Sequence, residues 1–163
     1  MNKSKLLEEY RSLGKLALPI IIAQMAQIAT GFIDTVMAGR ISALALGSIA
    51  IGTNLWIPVY LFVVGLLMAT SSIVSHYYGA REFSAIKDQV WQSMIVSSVL
   101  GLLTMFVVRQ LADLMGWIGI DDEIVPVARG YLDAVSWGMP AVCIYLVLRF
   151  ASEGIGYTRP MMY

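Results

Sequence analysis

Thirty-five consecutive residues, Ile41 to Ser75, carry no charge, and this run constrains the fold more than anything else in the 163-residue chain. A bilayer's hydrocarbon core takes roughly 20 apolar residues to cross as a helix. A surface helix of a water-soluble bundle would show a charged stripe every three or four residues. The same absence of a charged stripe marks Gln89–Val108, between Asp88 and Arg109. It nearly marks Leu16–Gly39, where the only formal charge is Asp34. Only 13% of the residues are charged and 58% are hydrophobic. Soluble domains average about 25% charged residues, so the sequence predicts an integral membrane protein.

Four spans are expected, at approximately 16–39, 46–72, 89–108 and 130–155, giving an all-α polytopic transmembrane bundle. The fourth is less apolar and carries Arg149 and Glu153 near its end. The first run is too long for a signal-peptide core and lacks a cleavage site followed by a soluble domain, so it is expected to remain in the mature protein. Lysine and arginine counts near span ends set orientation. One side has Lys3, Lys5, Arg11, Lys15, Arg81, Lys87 and Arg159; the other has Arg40, Arg109 and Arg129. Seven against three predicts a cytoplasmic N-terminus. Gly79 is expected to close the second helix in a left-handed conformation. Ser84 is expected to cap a short interfacial stretch, Ala85–Gln89. Met115–Ile120, with Trp117, is expected to dip into the opposite interface.

Several chemistries are disfavoured. The single Cys143 excludes an internal disulfide and a cysteine-based metal cluster. One histidine, His76, falls short of the three or four ligands of a zinc site. No nucleophile–base set is organised, so an enzyme is not expected.

Asp34 is the residue that carries chemistry. A carboxylate at the centre of a span costs about 2.5–3.5 kcal/mol on insertion scales. At about 100° per residue, Gln27, Thr30 and Asp34 fall within an arc of about 60°, flanked by Gly31 and Ala38. Ile21, Ile22, Met25, Ala29, Phe32, Ile33 and Val36 face away. The greasy face suits lipid, and the small, polar face suits a helix interface or a wet cavity. The bland reading puts Asp34 about 7.5 Å from the end of the span, snorkelling to the interface on a short stem, and leaves Gln27 and Thr30 unexplained. Removal from water disfavours a carboxylate's charged form. Such a group holds a proton while dry and gives it up when water or a cation arrives, as an ion-coupled carrier requires.

Asn54 and Pro58 in the second span, and Pro140 in the fourth, mark candidate cavity residues and hinges, because proline frees a backbone carbonyl that neighbours or water must satisfy. Packing alone explains each of them equally well. Arg149 and Glu153, four residues apart, are expected to form an ion pair near the cytoplasmic end. The ten methionines offer adaptable contacts for apolar cations or simple filling.

Read in order, these segments resemble the multidrug and toxic compound extrusion (MATE) family, its NorM-like bacterial branch most closely. The resemblance rests on Ala17-Leu-Pro-Ile with Gln24 and Gln27, Gly31-Phe-Ile-Asp-Thr-Val-Met-Ala-Gly39 and Ile49-Ala-Ile-Gly-Thr-Asn-Leu-Trp-Ile-Pro58. It continues through Tyr78-Gly-Ala80, Gly130-Tyr-Leu132, Trp137-Gly-Met-Pro140 and Glu153-Gly-Ile-Gly-Tyr-Thr-Arg-Pro160. It implies a cation-coupled antiporter of the bacterial inner membrane, expelling bulky, often cationic drugs in exchange for Na+ or H+, with Asp34 serving cation coupling or drug binding. It implies no other cofactor and no nucleic acid partner. Family members have twelve spans in two bundles, so residues 1–163 resemble the N-terminal third, with the missing helices as partners. Two other readings compete. One is a self-assembling four-span small multidrug exporter, recognisable as an obligate homodimer. The other is a non-transporting accessory subunit, in which Asp34 serves assembly only.

Overall fold

The computed structural model describes residues 3–121 and 123–157, excepting the side chains of 3–12, 15, 16 and 116–118. The side chains of Lys3, Lys5, Arg11, Lys15 and Trp117, and the whole of Arg159, therefore lie outside the described residues. The described residues form four helices: α1 (Lys3–Ile41), α2 (Ala43–Ala80), α3 (Phe83–Ile118) and α4 (Val125–Gly154). Each contains a stretch long and apolar enough to cross a membrane, and the protein is an all-α transmembrane bundle.

The helices overrun the expected spans at nearly every end. At 1.5 Å per residue, the 38 residues of α2 reach about 57 Å against a hydrocarbon core of about 30 Å. Apolar composition marks only the part in oil, whereas backbone hydrogen bonding continues through the polar interface. Two caps differ from expectation for the same reason. Helix α2 passes through Gly79 and closes at Arg81, whose φ of 61° and ψ of 27° are left-handed. The Arg81 N–H donates to the Tyr78 carbonyl at 3.1 Å and that of Glu82 to Tyr77 at 3.0 Å, the paired bonds of a Schellman closure. Helix α3 then starts at Phe83, with Ser84 inside its first turn and Glu82 at the cap without a side-chain bond. Between α1 and α2 a single residue, extended Ser42, makes the turn, and its hydroxyl accepts from the Ala45 N–H at 3.0 Å.

Helix α4 occupies the centre, packed against both α2 and α3. Its buried residues Ala128, Leu132, Ser136, Met139, Cys143, Leu146, Phe150 and Gly154, with Val147 beside them, follow a spacing of three or four positions, which is the seam of a helix held on one face. One core cluster joins Val63 and Leu67 of α2 to Cys143, Leu146, Val147 and Phe150. The other joins Val108, Ala112 and Met115 of α3 to Ala128, Leu132 and Met139. Met115 is fully buried there, so α3 extends over the segment expected to lie in the interface. Its side chain has core neighbours, which an interfacial dip would forfeit.

Lipid tails are as apolar as leucine, so close packing and polar contacts, not hydrophobicity, hold such helices together. Gly101 lies where an added Cβ would come within 2.6 Å of Pro140 Cα, and Gly154 where one would meet the Ser71 carbonyl at 2.8 Å. Buried Thr70 donates to Ser93 at 3.3 Å across α2 and α3. Both α2 and α4 remain helical through Pro58 and Pro140. Leu61, Phe62, Trp91, Val99 and Phe106 turn outward and are exposed, as a lipid-facing surface requires. Helix α1 stands apart, approaching α2 alone closely.

Candidate functional site

Because α1 leans away from α4, an open groove runs between it and the α2–α4 face. Asp34 lies on that groove. Its cavity, about 590 Å³, is lined on α1 by Gly31, Asp34, Thr35, Met37, Ala38 and Ile41. The facing wall consists of Ile49, Thr53 and Trp56 from α2 and Tyr131 from α4. A second cavity of about 250 Å³ adjoins it at Trp56, and Gln27 lines it together with Tyr60, Val135, Met139, Val142 and Tyr145. Gln27 and Asp34 thus share one groove, seven residues apart on one helix face.

Ala38 is the buried contact of this face with α2, at 3% exposure. Asp34 itself is exposed and, among the described residues, forms no ion pair. Among the described residues it is the single carboxylate lining either cavity. An ionised carboxylate offers about four lone-pair sites, enough for a proton, a sodium ion or the ammonium of a drug.

The facing wall is organised around Tyr131. Trp56 Nε1, which can only donate, gives its proton to the Tyr131 hydroxyl at 3.3 Å, and Thr53 Oγ1 donates to the same oxygen at 3.1 Å. With both lone pairs engaged, the phenolic O–H is left to donate into the groove. The ring fits because residue 52 is glycine: a Cβ there would stand 2.8 Å from Tyr131 Cδ1.

The other sequence candidates fall elsewhere. Thr30 donates back to the Ala26 carbonyl at 3.0 Å and lines neither cavity. Gln24 and Asn54 are exposed and also line neither. Pro58 faces a separate apolar cleft of about 420 Å³ between α2 and α3, with Phe62, Leu100 and Thr104. Pro140 packs on Gly101. Arg149 Nε donates to Glu153 Oε1 at 3.0 Å in a largely shielded pair, away from the groove. Sequence reasoning missed Thr53, Trp56, Tyr60 and Tyr131 as wall residues. The spacing 49, 53, 56, 60 on α2 is a helical face and carried the signal.

The MatE family profile covers residues 19–163. The chain is 42% identical over 148 residues to a probable multidrug resistance protein NorM of Shewanella oneidensis, a match covering 91% of this chain and 32% of that protein. It is 40% identical over 157 residues to the multidrug resistance protein MdtK of Pectobacterium atrosepticum, covering 96% and 34%. It is 40% identical over 153 residues to a probable NorM of Acinetobacter baylyi, covering 94% and 34%. The chain spans about a third of the length of the curated relatives it matches.

Proposed function

The chain belongs to the MatE family, and from that membership we propose that it supplies the first four spans of a multidrug exporter driven by Na+ or H+ entry at Asp34. The observation that carries this reading is the groove: an unpaired carboxylate on a loosely packed helix faces a wall of hydroxyl and aromatic groups. Multidrug resistance in the names of the relatives supports drugs as the cargo. The MatE match to proteins about three times as long favours this reading over a self-sufficient four-span exporter.

In the proposed cycle the carboxylate alternates between two occupancies. Open to water, the Asp34 carboxylate takes a cation. Once the groove closes around it, the charge must be neutralised, because an unpaired carboxylate at depth costs about 2.5–3.5 kcal/mol or more. A proton neutralises it directly; a sodium ion does so with neutral oxygens in the same cavity such as the Thr35 hydroxyl. Drug release and ion capture then oppose each other on one groove. Aromatic Trp56, Tyr60 and Tyr145 supply π faces suited to organic cations. Alternating access requires two bundles rocking about a shared site, so activity belongs to an assembly larger than residues 1–163. The lysine and arginine asymmetry supports a cytoplasmic N-terminus, and the bacterial relatives support an inner-membrane location.

The test is Asp34→Asn in the intact exporter, in inverted vesicles with an imposed sodium or proton gradient. Ion-driven drug flux is expected to fall at least about tenfold, the loss of roughly 1.4 kcal/mol of coupling, with insertion unchanged. Undiminished flux would refute the assignment. Undiminished flux with disturbed assembly would favour the accessory-subunit reading.

A further inference from the structure

Helices α3 and α4 carry three arginines, of which Arg129 pairs with Asp113 and Arg149 with Glu153. The third, Arg109, has no carboxylate partner among the described residues. It lies within the apolar Phe83–Met115 stretch of α3, where an uncompensated charge is expensive. Its Nε donates to Ser136 Oγ at 3.1 Å. Ser136 is fully buried and gives its own proton to the Asp133 carbonyl at 2.7 Å, so its hydroxyl is turned to accept from Arg109. The guanidinium carbon stands 4.8 Å from the centroid of the Trp137 ring.

These contacts fix the side chain and leave its strongest donors over. A guanidinium has five N–H groups; Ser136 takes one, and the Nη groups have no hydrogen-bond acceptor among the described residues. A fork anchored at Nε and open at Nη matches a pair of anionic oxygens. Its position narrows the anion. Asp113 of the outer ion pair lies four residues further along α3, so Arg109 sits about 6 Å deeper, within snorkelling reach of the headgroup level. Trp137 is 68% exposed, so the pair lies on the outside of the bundle, where indoles favour the membrane interface. Phe106 and Leu102, three and seven residues before Arg109 on the same face, are 64% and 62% exposed, an apolar track leading from the fork into hydrocarbon.

We infer that Arg109, held by Ser136 and Trp137, binds the phosphodiester of an anionic membrane lipid at the α3 C-terminal end of the bundle. Free phosphate shares the oxygens that the fork recognises but has no acyl chain for the Phe106–Leu102 track. Native mass spectrometry of the full chain in detergent, titrated in parallel with phosphatidylglycerol and inorganic phosphate, tests this. The wild-type chain is expected to retain a phosphatidylglycerol adduct that inorganic phosphate does not displace. Arg109→Gln is expected to weaken the adduct about tenfold. Arg109→Lys, which keeps the charge and loses the fork, should weaken it about threefold and decides the matter if the glutamine variant fails to fold. Lipid adducts undiminished in both variants would overturn the assignment, and so would displacement by inorganic phosphate at matched concentration.

Discussion

Gly52 shows how one missing side chain arranges the wall opposite Asp34. The Tyr131 ring occupies the space a Cβ would fill, with Cδ1 2.8 Å from the ideal position, and there the hydroxyl meets Thr53 and Trp56. Any branched residue at 52 must push the ring outward and part at least one of those bonds. Gly52→Val is expected to destabilise the bundle by about 1–3 kcal/mol, the usual cost of overpacking, and to lower drug flux several-fold. Tyr131→Phe separates the two effects: it keeps the packing, leaves Trp56 Nε1 without its acceptor, and costs about 1 kcal/mol. Detergent melting curves beside vesicle flux check both. If Tyr131→Phe lowered neither stability nor flux, the hydroxyl would have no part in the site. Sequence inspection picks out Asp34 because a charge among apolar residues stands out alone. It does not pick out Tyr131, whose role depends on α4 approaching α2 across 75 to 78 sequence positions.

At the scale of the element, the caps are where local chemistry and helix length compete. Arg81 takes the left-handed conformation although Gly79 stands two residues earlier, and a non-glycine residue there pays about 1–2 kcal/mol. Arg81→Gly is therefore expected to stabilise the α2–α3 turn by about 1 kcal/mol, read as a higher melting midpoint. Ser42→Ala should destabilise by about 1 kcal/mol, because the Ala45 N–H loses its acceptor in the only residue between α1 and α2. The four helices were legible from the sequence because charge-free runs report the oil they cross. Their ends were not, since Ser84 and Gly79 have good cap chemistry but lie inside helices that continue through the interface. Met115 misleads similarly: beside Trp117 it reads as interfacial, yet helix α4 covers it. Pro58 and Pro140 are legible as breaks in hydrogen bonding, and what they touch is a matter of tertiary packing.

In the whole molecule, α2, α3 and α4 form a close-packed unit, while α1 is tied to it by Ser42 and a contact with α2. The bundle therefore has a rigid part and an arm, with Asp34 on the arm's inner face. Such an arrangement makes groove closure inexpensive, since few contacts on α1 need to break. It also makes the groove's wetness measurable. The single native Cys143 is 1% exposed, so a thiol introduced elsewhere reports without background. Maleimides react with thiolates, and a thiol ionises only where water reaches it. Thr35→Cys would stand in the Asp34 cavity, whereas Phe32→Cys would replace a residue that is 68% exposed on the opposite, apolar face. In native membranes, a membrane-impermeant maleimide is expected to label residue 35 at least about tenfold faster than residue 32, because hydrocarbon suppresses ionisation at the latter. A coupling ion bound at Asp34 should then slow the Thr35→Cys reaction, and Asp34→Asn should abolish that slowing. Equally slow labelling at 32 and 35 would mean that no aqueous path reaches the carboxylate, and ion coupling at Asp34 would have no physical basis.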